Sequence, residues 1–176
     1  MQRLNLEFEV ISSTLPEILN EQLTASELAQ INAYRKAHAI AKRFPDYVVL
    51  GADTVVSLEN TLFGKPANLA EARRMLRALQ GKTHQVVTGV CLIHLRHRHE
   101  SLWAEITDVT FRPLSSAQID RYLSSINPLD KAGAYAIQEG GDALVQDVVG
   151  SYYNVVGLPV ERLKAELERW ATFEPR

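Results

Sequence analysis

Residues 47–66, YVVLGADTVVSLENTLFGKP, contain the feature that most restricts the fold of this chain. The apolar, β-branched run at 47–50 predicts a buried strand. It leads into Gly51-Ala52-Asp53-Thr54, where small residues allow a close approach of the backbone and a carboxylate follows. Ligands of open α/β sheets collect at the carboxyl ends of strands, which is where Asp53 lies in this pattern. A lysine then follows in the stiff loop Gly64-Lys65-Pro66.

Strand and helix patterns alternate along the rest of the chain. The first six residues resemble the end of a helix. Strands are predicted at residues 8–11, 47–56, 84–93, 101–111 and 143–149, and helices begin near Thr24, Asn68, Ser115 or Ser116, and Pro159. A polar turn at 96–99 predicts that the third and fourth strands form a hairpin. We therefore expect an α/β fold, with a mixed, mainly twisted sheet flanked by helices.

Length and charge limit the classes of function. A chain of 176 residues is most simply one domain, over residues 1–176, and is long enough to bury a core. Its net charge of −2 gives no basic surface for a polyanion, so we expect no nucleic-acid partner. Any phosphate binding must therefore depend on a few well-placed cations.

Cysteine usage and hydropathy indicate the compartment. Cys91 is the single cysteine, so it cannot form an internal disulfide, which is typical of a reducing compartment. The sequence contains no apolar run of the roughly 18–20 residues that a membrane span needs, and no signal segment. We expect a cytoplasmic protein without a membrane partner.

Several polar residues are candidates for a site, each with a simpler explanation. Asp53 has the chemistry to bind a divalent metal or to accept a proton from water, but a turn aspartate that accepts backbone N–H groups would look the same. Lys36 and Lys65 would suit phosphate, although both are also typical surface lysines. Glu17 is a candidate second metal ligand, or an ordinary loop glutamate.

The segment from Asp130 to Gln138 offers a further set of candidates. Asp130 and Lys131 are either a turn with an ion pair or a second phosphate clamp. Gln138 has both donor and acceptor groups, so it could recognise a nucleobase, or it could be a surface amide. The sequence lacks the phosphate-binding motif G-x-x-x-x-G-K-[ST] and the dinucleotide-binding motif G-x-G-x-x-G. It also lacks the serine nucleophile motif G-x-S-x-G. Acyl-serine chemistry and Rossmann-type cofactor binding are therefore poorly supported.

The motifs GADTVV, GKP, H-x-V-x-T-G-V, DKAGAYAIQ and GSYYNVVGLP occur in this order at sensible spacing. In these motifs the chain resembles the Maf family of nucleoside triphosphate pyrophosphatases, from about residue 3 to about residue 170. The resemblance implies a Maf or inosine-triphosphatase-like architecture and a possible homodimer. It also implies cleavage of the α–β phosphoanhydride of a nucleoside triphosphate with a divalent metal, Mg²⁺ or Mn²⁺.

The resemblance also implies roles for individual residues. Asp53 matches the family's proton acceptor. Glu17 and Asp53 together match its metal ligands. The remaining matches are to substrate-binding positions: Lys36, Lys65, Thr54, Gln138, Asp130 and Lys131. Of these, Thr54 and Gln138 match the positions linked to base choice. With the Asp53-Thr54 pair and Gln138, the chain resembles the branch of the family that acts on dTTP and UTP. Modified pyrimidine nucleotides are further candidate substrates.

The chain departs from the family at its start. The family opens with a strand and a Ser-x-Ser-Pro-Arg-Arg loop that binds phosphate, whereas residues 1–4 here align with the helix that follows this loop. The N-terminal strand would then be missing. Either the start codon was assigned too late or the chain is truly truncated, and the helix-like opening favours the first explanation. A truncated homologue that binds nucleotide without turnover, as a regulatory protein, is the alternative function; a nucleic-acid-binding domain is a third, which the net charge disfavours.

Overall fold

The computed structural model describes residues 6–20 and 22–171. Its strands are β1 (Val48–Leu58), β2 (Thr61–Phe63), β3 (Thr83–His94), β4 (His99–Phe111) and β5 (Val145–Val149). They form one five-stranded sheet in the order β2-β1-β3-β4-β5. The α-helices are α1 (Ala25–Ala41), α2 (Leu69–Leu79), α3 (Ser116–Ser125), α4 (Tyr152–Val156) and α5 (Val160–Ala171). None of the helices in the described part of the chain is long and apolar enough to span a bilayer.

The sheet and its covering helices confirm the predicted α/β fold. All four strand pairs among the described residues are antiparallel, so the parallel pairs of the expected mixed sheet do not occur there. The reason is the hairpin between β1 and β2, which reverses the chain before α2 returns it to β3 on the other side of β1. The predicted hairpin of β3 and β4 is present, with Thr83 opposite Thr110 and His94 opposite His99.

Two predicted strands differ from the structure. Residues 8–11 are not a strand: they pair with no other described segment, and Val10 is 80% exposed. An apolar alternation without a neighbouring strand has no hydrogen-bond ladder to join. The last strand begins at Val145 rather than at residue 143, because Gly141–Ala143 forms a 3₁₀ turn. The helical end predicted at the start of the chain falls mostly on residues 1–5, outside the described residues.

Helix α1 covers one face of the sheet at very short range. Thr24 and Glu27 form the predicted capping box at its start. A side chain added to Gly51 would lie 2.5 Å from the carbonyl oxygen of Ala33, and one added to Gly89 would lie 2.3 Å from that of Ala29. The small residues of the GADTVV and TGV motifs therefore admit the backbone of α1.

The opposite face of the sheet carries the larger hydrophobic core. Helices α2 and α3 pack there against β1, β3 and β4, with Leu76, Leu79, Phe111 and Ile119 almost fully buried. Leu163 of α5 packs on the same face, against Val90, Leu92 and Trp103. Because side chains alternate along a strand, consecutive residues of β1 point to the α1 face and to this second face in turn.

Candidate functional site

A pocket of about 310 Å³ lies beside β1, where β2 no longer pairs with it. Every residue that the sequence analysis named for a site lines this pocket: Glu17, Lys36, Asp53, Thr54, Lys65, Asp130, Lys131 and Gln138. They come from five separate parts of the chain, so the structure brings the predicted set together. Their individual roles stay predictions.

A chain of four alternating charges forms one side of the pocket. Lys36 Nζ donates to Asp53 Oδ1 at 2.5 Å and to Glu17 Oε1 at 2.9 Å. Lys65 Nζ donates to the same Glu17 oxygen at 2.8 Å. Side-chain exposure rises from 5% at Asp53 to 23% at Lys36 and 48% at Lys65. Asp53 is thus the buried end of the cluster, and Lys65 is its open end.

Burial and pairing give the two carboxylates different acidities. Burial raises the pKa of Asp53, and the hydrogen bond and charge of Lys36 offset this only in part, so the pKa stays above its ordinary value. Burial also acts to raise the pKa of Glu17, but hydrogen bonds from Lys65 and Lys36 together bring it below the ordinary value. Burial acts to lower the pKa of Lys36, but hydrogen bonds to Asp53 and Glu17 raise it overall. The environment therefore makes Asp53 more basic than an ordinary aspartate and Glu17 more acidic than an ordinary glutamate.

Asn32 is a site residue that the sequence analysis missed. It is 2% exposed and lies on α1, one turn before Lys36. Its Nδ2 donates to Asp53 Oδ2 at 3.3 Å and to the backbone oxygen of Ile18 at 3.1 Å, while its Oδ1 accepts from the Ile18 N–H at 2.8 Å. Asn32 therefore holds the loop that carries Glu17 against α1. A polar residue on the buried face of a predicted helix, four positions before a candidate lysine, was the available signal.

The loop of the DKAG motif closes the pocket on another side. The N–H of Gly133 donates to the carbonyl of Gly64 at 3.0 Å, which joins this loop to the one that carries Lys65. Gly133 has a φ of 68°, and a side chain there would lie 3.0 Å from Val56. The glycine is therefore required for the turn and for packing on β1. Lys131 lies 3.5 Å from Asp130 and 3.4 Å from Glu139, so nearby carboxylates balance its charge.

The far side of β1 gives the pocket a neutral end. Asp53 points toward α1, whereas Thr54 points to the opposite face, near α4. Thr54 Oγ1 lies 2.9 Å from Thr88 Oγ1, and Thr88 in turn donates to the backbone oxygen of Asn154 at 3.1 Å. The other residues at this end are mostly apolar: Val86, Tyr135, Ala136, Ile137, Val155, Val156 and Gly157.

Glu17 and Asp53 have the donor chemistry of a Mg²⁺ site. Both carboxylates lie within hydrogen-bonding distance of one ammonium, so they are placed around a single point of positive charge. Mg²⁺ typically binds through one or two carboxylates together with substrate phosphates and water. No group of three or more His, Cys, Asp and Glu side chains suited to a metal occurs in residues 6–20 and 22–171, which is compatible with this type of site. The residues present fit such an ion.

Comparisons with known proteins agree with this picture. Residues 1–170 match the family model described as Maf-like protein. A dTTP/UTP pyrophosphatase of Bacillus thuringiensis subsp. konkukian (strain 97-27) is 45% identical over 163 residues, which cover 93% of this chain and 84% of that protein. One of Bacillus anthracis has the same identity and coverage. One of Bacillus cereus (strain ATCC 10987 / NRS 248) is 44% identical, with 93% of this chain and 79% of that protein covered.

Proposed function

The chain belongs to the Maf-like protein family, and from this premise we propose that it hydrolyses dTTP and UTP to the nucleoside monophosphate and pyrophosphate. The observation that carries the proposal is the buried Asp53 at the end of a cluster of lysines, in a pocket whose other end is neutral. The names of the relatives favour an enzyme over a protein that binds nucleotide without turnover.

The lysines suit the triphosphate of such a substrate. Lys36 and Lys65 present ammonium groups along one side of the pocket, and Lys131 lies on the loop beside them. A triphosphate carries several negative charges, and fixed cations stabilise both its binding and the charge that moves during cleavage. In the proposal Lys36 and Lys65 bind the phosphates, and Asp130 and Lys131 add a second contact. Thr54 and Gln138 contact the base.

Asp53 suits the role of proton acceptor for water. In the proposed step a bond forms between the water oxygen and the α-phosphorus, and the bond from this phosphorus to the bridging oxygen breaks. The proton of the water moves to a carboxylate oxygen of Asp53, and pyrophosphate leaves. Without a bound cation, burial raises the pKa of Asp53, which favours uptake of a proton by this carboxylate. Lys36 orients the carboxylate through its hydrogen bond.

We also propose a divalent cation, Mg²⁺ or Mn²⁺, as cofactor, held by Glu17 and Asp53 together with phosphate oxygens. When bound, such an ion supplies further neutralisation of the phosphate charge. Three further proposals concern the whole protein. It works in the cytoplasm, which the buried and unpaired Cys91 supports. It forms a homodimer, and it does not bind nucleic acid. Sedimentation velocity and a DNA and RNA binding assay test the last two.

The experiment that tests the function is pyrophosphate release with Mg²⁺ or Mn²⁺ across a panel of nucleoside triphosphates. We expect turnover of dTTP and UTP by the wild type. Asp53→Asn keeps the size of the side chain but removes the base, so we expect kcat to fall by about 10²–10⁴-fold.

Asp108→Asn is the matched control, because this aspartate lies on β4 of the same sheet and bonds to Gln85 outside the pocket. It should keep wild-type turnover. Full activity of Asp53→Asn would show that the role given to Asp53 is wrong. A folded wild type that releases no pyrophosphate from any nucleotide would contradict the proposed function itself.

A further inference from the structure

The hydrogen bonds around Thr88 determine the direction of the Thr54 hydroxyl. A hydroxyl has one proton to donate, and a carbonyl oxygen can only accept. Thr88 Oγ1 lies 3.1 Å from the carbonyl oxygen of Asn154, so the single proton of Thr88 is donated there. The 2.9 Å contact between the two threonine oxygens then requires that Thr54 is the donor. The proton of Thr54 therefore points at Thr88, and only lone pairs remain for the pocket.

The partners that impose this direction are rigidly held. Thr88 and Asn154 are both 0% exposed. The side chain of Asn154 donates to the carbonyl of Val86 at 2.9 Å and to Thr107 Oγ1 at 3.0 Å, which ties α4 to β3 and β4. If Thr88 donated to Thr54 instead, the Thr88 oxygen and the carbonyl oxygen of Asn154 would face each other at 3.1 Å without a proton between them. The arrangement in which Thr88 donates to Asn154 makes one more internal hydrogen bond, so it is favoured.

Thr54 presents these lone pairs where a nucleobase would lie. Glu17, Lys36 and Lys65 line the pocket on the α1 side of β1, so a triphosphate belongs there. Thr54 lines the pocket on the other side, with Val155, Val156 and Gly157 as neutral neighbours. A planar base fits this less charged end, with its polar edge toward Thr54 and Gln138.

We propose that Thr88 is a positioning residue for base selection, which it performs by keeping Thr54 an obligate hydrogen-bond acceptor. Such an acceptor suits the ring N–H of an imide, the group that uracil and thymine carry between two carbonyls. Cytosine has an unprotonated ring nitrogen at the same place, so it would set two acceptors against each other in a buried contact. The inference rests on the proposed function only in taking a pyrimidine nucleotide as the ligand.

Binding of UMP and CMP, measured by isothermal titration calorimetry, tests the inference without turnover. We expect the wild type to prefer UMP by about tenfold to a hundredfold, the range for a buried polar group left unpaired. Thr88→Val removes the acceptor of the Thr54 proton, so Thr54 can rotate and donate to cytosine. The preference for UMP should then fall toward one. Thr88→Ser keeps the hydroxyl and should restore the preference.

Thr107→Val is the matched control. Thr107 is equally buried, donates to a backbone oxygen, that of Ser151, and contacts Asn154, but it lies on β4 away from Thr54. It should keep the wild-type preference even if binding of both nucleotides weakens. If Thr88→Val does not melt cooperatively, Thr88→Ala removes the same hydroxyl without adding bulk.

The inference is overturned by any of three results: a wild type without preference for UMP, an unchanged preference in the Thr88 variant, or equal effects of Thr88→Val and Thr107→Val. Failure of the proposed function is separate and would be visible on the same samples. A wild type that prefers UMP but releases no pyrophosphate from UTP would contradict the proposed hydrolysis and support the inference about Thr88.

Discussion

His84 shows how a single polar residue is accommodated in this core. It lies on β3 with 1% of its surface exposed, and its Nε2 forms a 2.9 Å hydrogen bond with the hydroxyl of Tyr135. Its ring packs edge-on against Phe111, with 4.7 Å between the centroids. Burial lowers the pKa of His84 to about 4 and raises that of Tyr135. Both groups are therefore neutral at pH 7, and their contact fixes the loop that leads to Gln138.

Stability should consequently fall in mild acid. The folded chain keeps His84 neutral down to about pH 4, whereas the unfolded chain takes up a proton below about 6.5. The contribution is complete above pH 6.5 and is lost as the pH falls toward 4, because the unfolded state then binds more protons. Between pH 7 and pH 5 we expect a loss of about 2 kcal/mol in the free energy of unfolding from this group.

Urea denaturation at both pH values, on the wild type and on His84→Gln, measures this contribution. Glutamine has a hydrogen-bonding amide but no group that titrates, so the variant should lose less stability over this range. Identical losses in the two proteins would mean that His84 is not responsible.

At the scale of elements, α1 is the helix on which the site depends. It supplies Lys36 and Asn32, and it lies close enough to β1 for both to reach Asp53. Asn32 also bonds to the loop that carries Glu17. This distance is possible because α1 presents alanines to the sheet and the sheet presents glycines at Gly51 and Gly89. The packing of one helix and the position of the candidate base therefore share a physical cause.

Gly89→Ala should destabilise the protein. The added methyl group would lie 2.3 Å from the backbone of Ala29, so helix and strand would have to separate. Overpacking of this kind typically reduces stability by about 1–3 kcal/mol, and we expect the upper end because the contact is with backbone. Thermal and urea unfolding measure the effect.

Gly64→Ala is the control for this substitution. A side chain at Gly64 would have its nearest neighbour at 3.6 Å, an ordinary contact with Leu19. Its stability should stay within about 0.5 kcal/mol of the wild type. If Gly89→Ala were as stable as Gly64→Ala, the close packing of α1 on β3 would be contradicted.

At the scale of the whole molecule, the pocket joins segments that are far apart in the chain. Glu17 belongs to a loop before α1, Asp53 to β1, and Gln138 to the segment between α3 and β5. The hydrogen bond from Gly133 to Gly64 and that from Asn32 to Ile18 hold these loops in place. A ligand that spans the pocket contacts all of them, so its binding should stabilise the fold as a whole.

A non-hydrolysable UTP analogue with Mg²⁺ should therefore raise the melting temperature. At one hundred times Kd, binding contributes about 2.7 kcal/mol, which corresponds to a shift of about 5–10 °C for a protein of this size. Removal of the metal with a chelator should reduce the shift. Lys65→Ala should reduce it as well, because it removes the most exposed cation of the cluster. Thermal unfolding that is unaffected by millimolar analogue would contradict a nucleotide site in this pocket.

Local patterns determined much of this protein. Capping residues and apolar periodicity were sufficient for α1, for the helix after Asn68 and for the hairpin of β3 and β4, because these features depend on neighbours in the chain. The motifs contain most of the predicted residues that line the pocket, whereas Glu17 and Lys36 lie outside them. The strand at 8–11 was predicted wrongly, since a strand exists only when a partner pairs with it.

Tertiary structure decided the features that require distant partners. Only packing shows that the glycines beside Asp53 admit a helix, that Asn32 bonds to Asp53, and that Thr88 separates Thr54 from Asn154. Burial and the direction of a hydrogen bond depend on atoms brought together from different parts of the chain, and local sequence contains neither. The sequence thus determined which residues are available for the chemistry, and the fold decided which of them are buried, paired and oriented to perform it.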